Sequence, residues 1–280
     1  MFKIIGDGAF AKAMIATITQ RNGIVSNDDY TWIIPCVPSY VLPSIELEKN
    51  KKILLISKGM IDSDGNGKFV TEWCEGRRFA YMAGPHLASE LEAGLPTMST
   101  IACENKEDFD ELAPYIPGPV YSRNYHAIST AGVLKNIIAY TCGAYEAGGY
   151  GENVRSCIIQ LGFIELQNIC NELSFEIDSI ISPAIVADTI LTSCSPKSRN
   201  FKAGFARING TTSNELTECI HSVQLLIKRI GVSDMWPISS FVFRAVTTKI
   251  KLDLDKIWPK FCNLSIAKQP DPCLNEFEGD

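Results

Sequence analysis

A short strand pattern, Phe2-Lys3-Ile4-Ile5, runs directly into Gly6-Asp7-Gly8-Ala9-Phe10-Ala11, and a helical pattern follows to about Arg21. Few arrangements constrain a fold more tightly. The first glycine of such a turn makes the bend, and the second lets backbone approach an anion at the helix N-terminus. The third, small position lets the helix pack closely on its strand. The motif therefore predicts a nucleotide-binding strand–turn–helix unit. Ala13, Met14, Ala16, Thr17 and Ile18 supply the tight face of the helix, and Asn22-Gly23 stops it, with the glycine expected in the left-handed cap.

Further strand patterns occupy residues 32–37, 52–57 and 79–83. They close on Pro38-Ser39, Lys58-Gly59 and Gly84-Pro85. Ile24-Val25-Ser26 is at most a strand stub. Short apolar strands alternating with helical stretches predict a mainly parallel sheet covered by helices. From about residue 124 the period changes, and residues 127–147, 153–173, 183–193 and 212–230 read as helices. The expected fold class is α/β: a shortened Rossmann-like, doubly wound parallel sheet followed by a mainly α-helical C-terminal domain. The boundary falls near Ser122-Arg123-Asn124, giving a truncated dinucleotide-binding domain over 1–123 and a helical substrate and catalytic domain over 124–280. Prolines 259, 270 and 272 and an acidic end predict an irregular tail from about residue 252.

The 280 residues carry a net charge of −6, which disfavours non-specific binding to nucleic acid or anionic lipid. An anionic substrate then needs its own local cations. No apolar run approaches the roughly 20 residues of a membrane span, and no leader sequence is expected ahead of the glycine turn. Ten scattered cysteines without a C-x-x-C pair predict reduced thiols in a cytoplasmic setting, and no metal site.

Two charges stand in unusual surroundings. Lys135 lies in the otherwise small and apolar stretch Ile128–Gly143, with Asn136 as its strongly polar neighbour. It is either snorkelling or desolvated, and a desolvated lysine has a lowered pKa suited to proton transfer. Asp188 is the sole charge between Ile180 and Ser195, and a buried carboxylate needs a partner. The two are expected to meet. Lys58 and Arg199 also sit where strands or helices end. Among the histidines, His86 is placed to line a cleft, whereas His126 and His221 read as structural or exposed. Asp28 and Asp29 lie near the distance expected of a ribose-binding acid but read better as turn residues.

Taken in order, these segments resemble bacterial-type NAD(P)-dependent glycerol-3-phosphate dehydrogenases. The resemblance runs through the glycine turn, Val37-Pro38-Ser39, Ser57-Lys58-Gly59, and Ala83-Gly84-Pro85-His86-Leu87-Ala88. It continues through Val120-Tyr121-Ser122, Gly132-Val133-Leu134-Lys135-Asn136, Gly151-Glu152-Asn153-Val154-Arg155, Asp188–Thr192 and Ser198-Arg199-Asn200. It covers residues 1–22 and about 30–210. It implies Lys135 as the catalytic acid/base. Substrate contacts would come from Lys58, Gly84, His86, Asn136, Asp188, Thr192, Ser198, Arg199 and Asn200. Cofactor contacts, to NAD or NADP, would come from Gly6, Gly8, Ala9, Phe10, Ala11, Pro38, Lys58, Ala88 and Arg199.

The chain also departs from that family. Residues 22–31 replace a second strand, a long loop and more sheet, so most of the adenosine half is missing. His86 stands for a smaller hydroxyl residue, and Ala187 and Thr189 flank Asp188 in place of glycine and leucine. Glu218-Cys219 is the nearest match to a Glu-Gly pair that contacts cofactor. The resemblance implies an oxidoreductase that interconverts dihydroxyacetone phosphate and sn-glycerol 3-phosphate, feeding glycerophospholipid synthesis. Its partner is a phosphorylated triose, with a homodimer left open. The alternative is a degenerate, non-catalytic paralogue that keeps the fold and binds a phosphometabolite or a protein.

Overall fold

The computed structural model describes residues 1–211 and 218–264. Its strands are β1 (Phe2–Ile5), β2 (Trp32–Pro35), β3 (Lys52–Leu55), β4 (Met60–Ser63), β5 (Asn66–Phe69), β6 (Phe79–Ala83), β7 (Ser99–Cys103) and β8 (Pro119–Ser122). The helices of the first half are α1 (Ala9–Gln20), α2 (Val70–Trp73), α3 (Ala88–Glu92) and α4 (Lys106–Leu112). The second half holds α5 (Tyr125–Ala147), α6 (Glu152–Glu172), α7 (Asp188–Cys194), α8 (Arg199–Ile208), α9 (Glu218–Ile230), α10 (Pro237–Thr247) and α11 (Leu254–Cys262).

One sheet carries the order β1-β2-β3-β6-β7-β8. The pairs β1–β2, β2–β3 and β3–β6 are parallel. β7 runs antiparallel to β6, and β8 parallel to β7. The sheet is therefore parallel-dominated rather than uniformly parallel. Among the described residues, every strand lies before Asn124 and every named element from Tyr125 onward is helical. No helix of these residues is long and apolar enough to cross a membrane.

Several elements differ from the sequence expectation. The residue in the left-handed region after α1 is Asn22 (φ 60°), not Gly23. Asparagine tolerates that conformation, whereas glycine at 23 answers a shortage of space. A Cβ there would overlap Ile18 and come within 2.8 Å of Tyr115. A hairpin, β4–β5, interrupts the strand–helix alternation. Its turn residues Asp64 and Gly65 have φ of 52° and 81°, as a two-residue primed turn requires.

The chain is not irregular from residue 252. Helix α11 forms because Leu254, Ile257, Trp258 and Phe261 fall on one face, and they pack beside Tyr145 and Phe241. Asp253 caps it by accepting the Lys256 N–H, and Pro259 is accommodated inside. The remainder of that expected tail, with Pro270, Pro272 and Cys273, and the start of the 212–230 helix, lie outside the described residues.

Helix α5 runs through the middle of the molecule, buried on every face from Ala127 to Tyr145. That is why its residues are small or apolar all round rather than striped. Helix α8 crosses it at close range because both helices carry glycine at the crossing. A Cβ on Gly204 would overlap the Tyr140 carbonyl oxygen, and one on Gly143 would overlap that of Phe201. Backbone stands at both contacts, so no side-chain rotation relieves them. Gly204→Ala is expected to destabilise the protein by about 1–3 kcal/mol or more through overpacking, measured by urea denaturation. Gly210→Ala, where φ is 69° but a Cβ meets nothing within 4 Å, should cost less.

Candidate functional site

A cleft of about 680 Å³ opens at the C-terminal ends of β1, β2 and β3, facing α5, α8 and the start of α9. This is where ligands gather in open α/β sheets, and the volume suits a small organic ligand. The glycine turn forms one wall. Gly6 has φ 118°, and a Cβ there would stand 2.6 Å from the Cys36 carbonyl oxygen, so the end of β2 excludes any side chain at this position. Gly8 faces open space, and no side chain caps α1. The first N–H groups of α1 are therefore left for an anion, which the helix dipole also favours.

The opposite wall holds a buried ion triad. Lys58, carried just past β3, places its ammonium 2.7 Å from one oxygen of Asp188 and donates to the Gly84 carbonyl at 3.3 Å. Lys135, on α5, places its own 2.7 Å from the other carboxylate oxygen and donates to Thr192 Oγ1 at 3.1 Å. Thr192 in turn donates to the Asp188 carbonyl at 2.7 Å. Asp188 opens α7 directly after a π turn at Pro183–Ala187, a local irregularity that often marks functional positions. Gly132, one turn before Lys135, leaves room for this approach. A Cβ there would lie 2.8 Å from the Tyr81 hydroxyl and 3.6 Å from the Lys58 side chain.

Burial sets the protonation chemistry. It pushes the Lys135 ammonium down to about 8, with Asp188 pulling it back up and Lys58 pushing it further down. Burial alone would raise Asp188, but Lys135 and then Lys58 outweigh it and hold the carboxyl below its ordinary value. His86 is pushed down to about 3, first by burial and then by Lys58, so its imidazole is neutral. Its Nε2 lies 2.9 Å from Ser99 Oγ. Glu218 is raised by burial, and it accepts the Ser39 N–H at 3.4 Å across the cleft.

The expected residues divide between the cleft surface and its support. Gly8, Ala9, Phe10, Pro38, Lys58, His86, Ala88, Lys135, Asn136, Arg199 and Asn200 line the cleft. Asn200 donates to Asn136 Oδ1 at 2.8 Å, and Arg199 is exposed at the first position of α8 without an ion-pair partner among the described residues. Gly6, Ala11, Gly84, Asp188, Thr192 and Ser198 are not on its surface. Ala11 is a buried residue of α1 itself, and Ser198 caps α8 by accepting the Phe201 N–H. Asp28 and Asp29 are exposed, their N–H groups tied to Ser26 Oγ, and do not reach the cleft. Tyr40, Ser57, Leu87 and Cys36 line it without having been expected there. Ser57 was legible as the neighbour of Lys58, whereas Tyr40 carries no pattern that separates it from other loop tyrosines.

Residues 124–253 match the family model described as the C-terminus of NAD-dependent glycerol-3-phosphate dehydrogenase. A glycerol-3-phosphate dehydrogenase (NAD(P)+) of Brucella ovis is 31% identical over 212 residues, covering 72% of this chain and 64% of that protein. One from Erythrobacter litoralis is 31% identical over 175 residues, covering 60% of this chain and 53% of that protein. The chain thus spans between about half and two thirds of the length of these curated relatives. Among solved structures, the glycerol-3-phosphate dehydrogenase of Coxiella burnetii superposes with a TM-score of 0.77 at 18% identity, covering 94% of this chain and 98% of that one. That of Plasmodium falciparum gives 0.79 at 15%, covering 95% and 96%. The fold is shared with both.

The triad yields a stability prediction. Asp188→Asn leaves the buried Lys135 ammonium facing the half-buried one of Lys58 and should destabilise the protein by about 3–5 kcal/mol at pH 7. Lys135 already has a folded-state pKa below its ordinary value, so between about 8 and 10.5 the unfolded chain binds more protons and stability rises with pH. Without Asp188 that window extends to lower pH. Thermal melts of both proteins from pH 6 to 10 should show the deficit of the variant shrinking as pH rises.

Proposed function

Because the chain resembles the bacterial-type NAD(P)-dependent glycerol-3-phosphate dehydrogenases, we propose that it interconverts dihydroxyacetone phosphate and sn-glycerol 3-phosphate with NAD or NADP. The observation that carries this reading is the buried Lys58–Asp188–Lys135 triad facing an anion-binding glycine turn across one cleft. In this reading residues 1–123 form the nucleotide-binding unit and residues 124–280 the substrate and catalytic unit.

The turn at Gly6–Ala11 fits a phosphate of the cofactor, since Gly8 opens onto the cleft and the α1 N-terminus is uncapped. Pro38 and Ala88 would flank the cofactor. When bound, the reduced nicotinamide supplies the hydride to C2 of the triose. Lys135 Nζ supplies the proton to the C2 oxygen, and the amine that remains is held by Asp188 and Thr192. Lys58 places a positive charge beside the carbonyl oxygen as it gains electron density. Arg199, with Asn200 and Asn136 beside it, suits the dianionic phosphate. Gly84 orients Lys58 through its carbonyl, and neutral His86 adds contact without charge. Free thiols at all nine described cysteines support a cytoplasmic setting. The resemblance also admits a homodimer. One observation favours the non-catalytic reading: residues 21–31 provide a single bridged residue, Val25, where that family has an adenosine-binding strand.

The enzyme reading makes separable predictions. Lys135→Met should abolish oxidation of NADH by dihydroxyacetone phosphate, with the circular dichroism spectrum unchanged. Full turnover by that variant would eliminate the mechanism. In the wild type, kcat/KM for triose reduction should fall as pH rises through about 8, because the acid loses its proton there, and the reverse reaction should gain over the same range. Arg199→Ala should raise KM for dihydroxyacetone phosphate at least tenfold and leave unphosphorylated dihydroxyacetone unaffected, compared in steady-state assays.

A further inference from the structure

We infer that this cleft reads only the nicotinamide–ribose–phosphate half of a dinucleotide, and accepts reduced nicotinamide mononucleotide about as well as NADH or NADPH. The inference rests on the cofactor-binding reading above and concerns what the chain does beyond the outer edge of β1.

In a dinucleotide crevice the adenosine ribose lies beside the C-terminal end of the strand next to β1, on the side away from the rest of the catalytic cleft. Here the segment in that place pairs with β1 at its first residue alone. Phe2 N–H donates to the Ile24 carbonyl and Ser26 N–H to the Phe2 carbonyl, both at 2.9 Å, and Val25 forms one isolated parallel bridge. The chain then reverses. The N–H groups of Asp28 and Asp29 both donate to Ser26 Oγ at 3.2 Å, and Thr31 N–H returns to the Met1 carbonyl at 3.0 Å. The turn at Gly6 is four positions further up the strand, roughly 13 Å at about 3.3 Å per residue. Ile5, on the inward side, accepts the Cys36 N–H at 2.7 Å. None of the described residues pairs with the outward groups of Ile4.

The side chains tell the same story. The acids that might have read a ribose diol, Asp28 and Asp29, are held at the opposite end of β1 from the crevice. The cations that might have read a ribose phosphate are turned elsewhere. The Arg21 guanidinium bonds to the Thr17 carbonyl at 3.4 Å, and the Lys3 ammonium to the Tyr30 hydroxyl at 3.0 Å. Lys12, exposed in the first turn of α1, attracts any phosphate placed there without distinguishing its source. No residue from 21 to 31 lines the cleft. Meanwhile the turn itself is complete, because Gly6 is fixed from the β2 side and Gly8 is open. An anion has a seat at the turn and the cleft continues inward from it, whereas the adenosine half has no residue from 21 to 31 to meet it.

Isothermal titration of the full chain with NADH, NADPH and reduced nicotinamide mononucleotide tests this. The three dissociation constants should agree within tenfold. Gly8→Asp, a substitution for which the backbone has space, should weaken all three at least tenfold by placing a carboxylate at the anion seat. A dinucleotide more than tenfold tighter than the mononucleotide would overturn the inference, as would NADH and NADPH differing by more than tenfold, or binding untouched by Gly8→Asp. Binding of all three within tenfold, with no turnover of dihydroxyacetone phosphate, would support the inference while defeating the proposed activity. If none of the three bound, both would fall.

Discussion

The structure depends on one shared carboxylate. Asp188 is buried at the start of α7, and each of its oxygens takes one ammonium, from Lys58 beyond β3 and from Lys135 on α5. A buried charge without partners is expensive, and a buried pair is tolerated only when its remaining hydrogen-bonding capacity is also used. Here it is used: Lys58 bonds also to the Gly84 carbonyl, and Lys135 to Thr192. The contact therefore fastens the sheet, the central helix and α7 together at the point where the cleft opens. It also leaves one positive charge over, in a chain whose net charge is −6. Local sign rather than net charge sets the potential in this cleft.

The polar residues of α8 reach the cleft by a different route. Arg199 and Asn200 open α8, and their distance from Lys135 and Asn136 is set by how closely α8 crosses α5. Gly143 and Gly204 permit backbone contact between the helices, which no larger residue allows. Packing glycines that do not themselves line the cleft thus help set its geometry. The Asn200–Asn136 hydrogen bond is the nearest polar consequence of that approach.

How much of this was legible in the sequence depends on the range of the interaction. The βα turn was legible because its requirement is local: a glycine at φ 118° against the next strand, then an open helix start. Lys135 and Asp188 were legible as a pair because each is a lone charge in an apolar run, and burial obliges such groups to find one another. The hairpin β4–β5 carried an Asp64-Gly65 signal that polar flanks obscured. Helix α11 was masked by Pro259, although the spacing of Leu254, Ile257, Trp258 and Phe261 outweighs one proline. Glu218 had a place in the family order, yet its position opposite Ser39 was not legible, because tertiary packing of α9 delivers it. Burial likewise decides that His86 is neutral, and sequence order carries no record of it.

The short segment between α1 and β2 leaves the triad untouched because of where it lies. It meets β1 on the outer side, at the edge of the sheet, through the Val25 bridge to Phe2. The parallel registers of β1 with β2 and β2 with β3 lie on the other side. Cys36, whose carbonyl oxygen excludes any side chain at Gly6, also belongs to that inner side. The turn is thus held from the β2 side rather than by the segment outside β1. The triad sits further inward still, joined to β3, α5 and α7. Binding energy from the remote half of a cofactor and positioning of the reacting groups are separable contributions. In this fold the segment outside β1 and the triad lie on opposite sides of β1, so one can be short without a change in the geometry of the other.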